Sequence, residues 1–290
     1  MKDALLKHTA HGFVWLNLLV GLATVIGSGL LFRGVPNLPP LDYNRLSIWL
    51  GILCVVFGIG ASLFHMAHTQ GWRATLWLLG LCTVLAGGTE LLGVLTGFPF
   101  GSYEYTDRLG PKFLGHVPYV IPPSWFMMLY PALHLSFLLG VPRWAVPIAA
   151  SALLTWWDVA MDAAVSNSRV NPGTAAFVYW FWNVDGAFYG MPLQNWLGWL
   201  ATGLLLSWVY LKIVPEWRES RSLTPLFIWL IQGGVMAGLA FWIQRPIAAF
   251  AWLTGAVFVS VFAYRAALNP PRLVQPPPQT ETMPPENAPS

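Results

Sequence analysis

A chain of 290 residues with 56% hydrophobic side chains, only 9% charged ones and 17 tryptophans has too little polar surface to cover a water-soluble globule. A mean hydropathy of +0.57 places it in a bilayer. Its net charge of +3 is ordinary for a multi-spanning protein whose cations sit in short loops, and it implies no nucleic-acid partner.

Apolar runs of about 17–25 residues, the length that crosses roughly 30 Å of hydrocarbon, fall near 13–32, 46–67, 75–96, 124–140, 144–164, 192–213, 223–243 and 246–266. The expected fold is all-α: a polytopic membrane bundle of about eight helices, forming one transmembrane domain over residues 1–268. The first run, Phe13 to Phe32, is longer than a signal-peptide core and has no clean cleavage pattern after it, so it reads as an uncleaved span. Cys54 and Cys82 lie inside apolar helices at no metal or disulfide spacing and read as packing residues. With eight spans, nine Lys and Arg fall on one side and six on the other, which favours a multi-pass cell-membrane protein with both termini in the cytoplasm. Residues 269–290, rich in proline and almost free of aliphatics, are expected to be a disordered cytoplasmic tail.

The two longest inter-span segments, 97–123 and 165–191, are rich in aromatics, Gly and Pro. On the side count above both lie on the outer face, where they can together cover one mouth of the bundle.

The acids inside the apolar runs carry the chemistry. On the fifth span Ser151, Thr155, Asp158 and Asp162 are spaced by 4, 3 and 4 and share one narrow stripe. An acid at membrane depth costs roughly 2.5–3.5 kcal/mol, and two like acids one helical turn apart oppose each other, so helix stability alone does not choose them. By the same arithmetic Glu90 on the third span shares a face with Thr83 and Gly87, and Asn195 on the sixth lies over Trp199 and Thr202. Glu90, Asp158, Asp162 and Asn195 fall at one depth, with Asp185 just before the sixth span. The rival reading makes Glu90 a hydrogen-bonding glue between helices, Asp185 a turn residue before Gly186, and Tyr103, Tyr105, Trp125 and Trp182 interface anchors. Six histidines are too few for a membrane di-iron centre, and His65, His68 and His134 read as an interfacial pair and a buried partner of Tyr130. No phosphate loop, CxxC pair or GxSxG is present, and no metal or cofactor is assigned.

A carboxyl group in apolar surroundings keeps its proton at neutral pH, and a second acid nearby strengthens that tendency. Such an acid can protonate a poor base while aromatic faces stabilise the cation by roughly 0.5–2 kcal/mol each. The substrate that suits acid, aromatics and lipid access is an isoprenoid double bond.

Four blocks point to a family. ELLGVLTGFPFGSYEYTDRLGP at 90–111, VPYVIPPSW at 117–125, the D-x-x-x-D pair at 158–162 and GAFYGMPLQNWLGW at 186–199 resemble the signature blocks of the membrane carotenoid 1,2-hydratase family, in order, within residues 85 to 210. The chain departs from the family pattern at Ala163, where proline is common, and in the longer segment SNSRVNPGTAA. The resemblance implies a hydro-lyase that adds water to the terminal C1–C2 double bond of an acyclic or monocyclic carotenoid, such as lycopene or gamma-carotene, to give a tertiary alcohol. It implies a carotenoid substrate drawn from membrane lipid, with other enzymes of the pathway as candidate partners.

The chemistry then assigns roles. Asp158 or Asp162 is the proton donor with the other ionised; Glu90 or Asp185 is the base for water, with Asn195 holding it; Trp182, Tyr189 and Trp199 line the cation, with Tyr103 and Trp125 nearby. Three other readings use the same acids: an intramembrane prenyltransferase holding Mg²⁺ and a diphosphate on the D-x-x-x-D pair, a carotenoid cyclase, and a proton-coupled transporter.

Overall fold

The structure, a computed structural model, describes residues 2–269; the proline-rich tail beyond Asn269 lies outside them. The described residues form eight helices: α1 Lys2–Phe32, α2 Tyr43–Gln70, α3 Trp72–Thr96, α4 Ile121–Leu138, α5 Val146–Val165, α6 Gln194–Ile213, α7 Thr224–Trp242 and α8 Pro246–Leu268. Seven of them are long and apolar enough to cross a membrane, so the chain is a multi-pass membrane protein. The remaining one, α4, is shorter, carries Pro131 and His134 within it, and is buried from Trp125 through Ser136. With its sides covered by protein it can hold polar groups that a lipid-facing helix would expose at a cost.

One local irregularity decides which side of α3 faces inward. Residues Cys82–Ala86 form a single π turn, which adds a residue and rotates the remainder of the helix by about 100° against the α-helical count. Glu90 is therefore buried in line with Cys82 and Ala86, whereas Thr83 is exposed. The expectation that Thr83 and Glu90 share a face is corrected for this reason.

The two long inter-span segments meet in one cap. Strand β1, Tyr103–Tyr105, runs antiparallel to Trp180–Trp182, the fifth strand in chain order, which in turn runs parallel to Ser166–Ser168, the fourth. A two-stranded ribbon of β2 Lys112–Phe113 and β3 Val117–Pro118 lies in the same segment as β1. Period-two alternation sends Tyr103, Tyr105, Trp180 and Trp182 to the buried face of the sheet and Glu104 to the exposed one. On that exposed face Arg169 pairs with Glu104 at 2.9 Å and lies over the Phe181 ring. The guanidinium of Arg108 donates to Asn44 and Ser47, fastening the cap to the start of α2. At the opposite end of the bundle, Thr224 at the start of α7 contacts His11 of α1.

The chain enters the cap through Gly97, which closes α3 in a left-handed conformation at φ +78° that a side chain would disfavour. Phe100 then inserts between α3 and α6, where a Cβ added at Gly93 or Gly198 would lie 2.8 and 2.5 Å from its ring. Gly198→Ala should therefore push Phe100 out of its slot and destabilise the protein by about 1–3 kcal/mol, the usual cost of overpacking. Thermal unfolding of the detergent-solubilised variant reads this, and an unchanged melting temperature would show that the ring moves aside freely.

Candidate active site

Beneath the cap, the ends of α3, α4, α5 and α6 enclose a chamber lined by Glu90, Phe100, Tyr103, Tyr105, Ile121, Ser124, Trp125, Trp157, Met161, Asp162, Trp180, Trp182, Asn195 and Trp199. The centres of water-sized molecules can occupy about 50 Å³ of it, and its whole atom-free space, mouth included, is about 420 Å³. That is room for a few waters or for the slender end of a branched hydrocarbon.

Two acidic centres face this chamber from different helices. On α5, Asp158 and Asp162 are buried one helical turn apart. The Asn195 side-chain amide on α6 bridges them, donating to Asp158 Oδ2 at 2.8 Å and to Asp162 Oδ2. Asp162 Oδ1 accepts from Trp180 Nε1 at 3.0 Å, and its backbone carbonyl accepts from Ser166 Oγ, which itself accepts from Trp182 Nε1. Asp158 Oδ1 has no hydrogen-bond partner among the described residues. Two carboxyls bridged by one amide nitrogen in apolar walls resist a second charge, which favours one shared proton on the pair. Asp162, with an N–H donor on each oxygen, is the member best suited to the charge.

On the facing wall, Glu90 accepts from three donors: Tyr103 OH at 2.5 Å and Tyr105 OH at 2.8 Å on Oε2, and Trp125 Nε1 at 2.9 Å on Oε1. Two phenol O–H groups and an indole N–H placed to donate to one carboxyl favour its ionised form. Burial, and then the Glu90 charge beside them, hold the Tyr103 and Tyr105 hydroxyls protonated well above the usual phenol range, so both remain donors. Between the two acidic centres the indoles of Trp125 and Trp199 stack with centroids 4.1 Å apart, and Trp157 meets Trp199 edge-on.

The match to known proteins agrees with this chemistry. Residues 50–264 match the family model described as "Carotenoid biosynthesis protein", a span that holds every residue of the chamber. The chain belongs to the carotenoid biosynthesis protein family. It is 33% identical over 187 residues to the bisanhydrobacterioruberin hydratase of Haloarcula japonica, an alignment that covers 64% of this chain and 58% of that protein. The chain thus spans less than two thirds of that relative's length. No solved structure matches it.

Within this carotenoid biosynthesis protein, most of the residues expected from the sequence converge. Glu90, Asp162, Asn195, Tyr103, Trp125, Trp182 and Trp199 line the chamber, and Asp158 stands behind Asp162. Asp185 does not join them. It is exposed and lines a separate surface pocket of about 360 Å³ with Asn171, Tyr189 and Arg245, because the turn at Gly186–Gly190 carries it away from the bundle axis. Tyr189 lines that pocket too, under the Arg245 guanidinium at 5.1 Å, so it does not line the cation site as expected. Two assignments are narrowed. The Asn195 amide nitrogen is committed to the aspartate pair, and Glu90, expected as a base for water, is engaged by three donors.

Sequence reasoning missed Trp180 and Trp157, which touch Asp162 and the stacked tryptophans respectively. The alternation W-F-W at 180–182 was the available signal, since it places residues 180 and 182 on one face once the segment is read as a strand. The histidines form a second polar cluster at the far end of the bundle. His65 is buried and bonds Tyr130 OH at 2.6 Å and Ser222 Oγ at 2.8 Å, while His134 bonds the Ser222 carbonyl.

Proposed function

We propose that this protein is a cofactor-independent hydratase that adds water across the terminal C1–C2 double bond of an acyclic or monocyclic carotenoid such as lycopene or gamma-carotene. The observation that carries the reading is the buried Asp158–Asp162 pair, bridged by Asn195 and facing, across an aromatic chamber, a Glu90 carboxyl that accepts from three donors. The carotenoid end enters from the lipid and its alkene sits over Asp162. Asp158 passes the shared proton to Asp162, the member that lines the chamber, and Asp162 delivers it to C2, so that a tertiary cation forms at C1.

That cation lies among the faces of Trp125, Trp199 and Trp182 and within the field of Glu90, whose fixed charge needs no reorganisation as the positive charge grows. Water adds through oxygen to C1, and the proton it sheds returns to the aspartate pair. The pair ends as it began, so the net change is one water added and no redox equivalent is required. Support also comes from the relative, which is itself named a hydratase.

A diphosphate-using prenyltransferase fits less well, because no Lys or Arg lines the chamber among the described residues to neutralise phosphate oxygens. Expression in lycopene-making and gamma-carotene-making hosts tests the proposal. The pigment should become more polar on chromatography and heavier by one water. A pigment of unchanged mass, cyclised or not, would overturn it.

A further inference from the structure

The chamber walls contain several indole N–H donors, and most have partners. Trp125 donates to Glu90, Trp180 to Asp162 and Trp182 to Ser166. Trp157 differs. It lines the chamber, is only 4% exposed, and its Nε1 has no hydrogen-bond partner among the described residues. An N–H buried without a partner costs about 1–3 kcal/mol, so such a donor beside a chamber with room for water calls for an oxygen. Trp157 also lies on the chamber-facing side of α5, one turn before Met161 and adjacent in sequence to Asp158, and its ring meets Trp199, one of the two stacked indoles of the cation site.

We infer that the Trp157 indole N–H holds the oxygen of the water that captures the cation, and afterwards the tertiary hydroxyl of the product. This rests on the hydratase reading and adds to it a group that chooses the cation's fate. The cation at C1 has two exits. It can accept a lone pair from water, the water then passing a proton to the aspartate pair, or it can return a proton to the pair and become an alkene again. Protonation requires Asp158 and Asp162, whereas capture requires an oriented oxygen near C1. An indole donor occupies one lone pair of the water and leaves the other available for attack and, unlike a carboxylate, cannot itself remove the proton.

The test is the partition between the two exits, measured in deuterium oxide. Wild-type protein should yield mainly the alcohol. Trp157→Phe, which keeps a ring but removes the donor, should lower the ratio of alcohol to deuterium-exchanged, unhydrated carotenoid at least about tenfold, the scale of one lost hydrogen bond of about 1.4 kcal/mol. Replacing Trp157 with benzothienylalanine, which substitutes sulfur for the N–H at nearly the same shape, should lower the ratio in the same way without disturbing packing. A residue with a merely structural role would reduce both products together. A wild-type ratio in both variants would overturn the inference, whatever the total rate. No alcohol from the wild-type protein would instead remove the hydratase reading on which the inference stands.

Discussion

Asp158→Asn and Asp162→Asn should each lower the rate of hydration by about 10²–10⁴-fold, the contribution of a positioned general acid, while the protein still accumulates in the membrane. The first of these is close to a pure test of the proton. The carbonyl oxygen of an asparagine at 158 can still accept from Asn195, so the hydrogen bond that joins α5 to α6 there is preserved. What it lacks is a proton that can be passed on. Asp162→Asn adds a geometric loss, since Trp180 and Asn195 both donate to that carboxyl and one of them would then face an NH₂ group. The check is the initial rate of alcohol formation by purified variants at matched protein levels. Near-wild-type rates in both would remove the pair from the chemistry.

Glu90→Gln should be the second most damaging change, and it should damage two things. Loss of the fixed negative charge opposite the aspartate pair should slow hydration by about 10²–10³-fold, the scale seen when one preorganised electrostatic group is removed. At the same time three donors, Tyr103, Tyr105 and Trp125, would converge on a group that now also donates. Leaving one buried donor unpaired costs about 1–3 kcal/mol, and two of these donors belong to the cap strand β1. The variant should therefore melt at a lower temperature than wild type as well as turning over more slowly. Wild-type rate with a lowered melting temperature would make Glu90 a fastener of the cap and nothing more.

The bundle was legible because span length is set by bilayer thickness, and the observed helices fall close to the apolar runs. The aspartate pair was legible for a related reason: in a chain so poor in charge, two acids on one helical stripe stand out without any knowledge of their surroundings. Glu90 was grouped with Asp162 and Asn195, whose chamber it lines, but given the wrong neighbour, Thr83, because an arithmetic of 3.6 residues per turn has no term for a π turn. Asp185 and Tyr189 failed for another reason. Their positions depend on a tight turn that folds Phe188 back on Met191, and no periodicity governs such a turn. Trp180 escaped because its position is set by pairing between strands far apart in sequence, Tyr105 with Trp180 and Trp180 with Ser166. The alternation Y-E-Y and W-F-W gives each strand's buried face but not its partner.

The central claim is that a proton from the aspartate pair makes a carbocation which water then captures. Its most direct test is turnover by the purified protein in deuterium oxide containing heavy oxygen, with the label positions in the pigment read by mass spectrometry and magnetic resonance. The account predicts one deuterium at C2 and one heavy oxygen at C1 of the new alcohol, with no added cofactor or reductant. A hydroxyl oxygen drawn from dioxygen, or an alcohol without deuterium at C2, would contradict it.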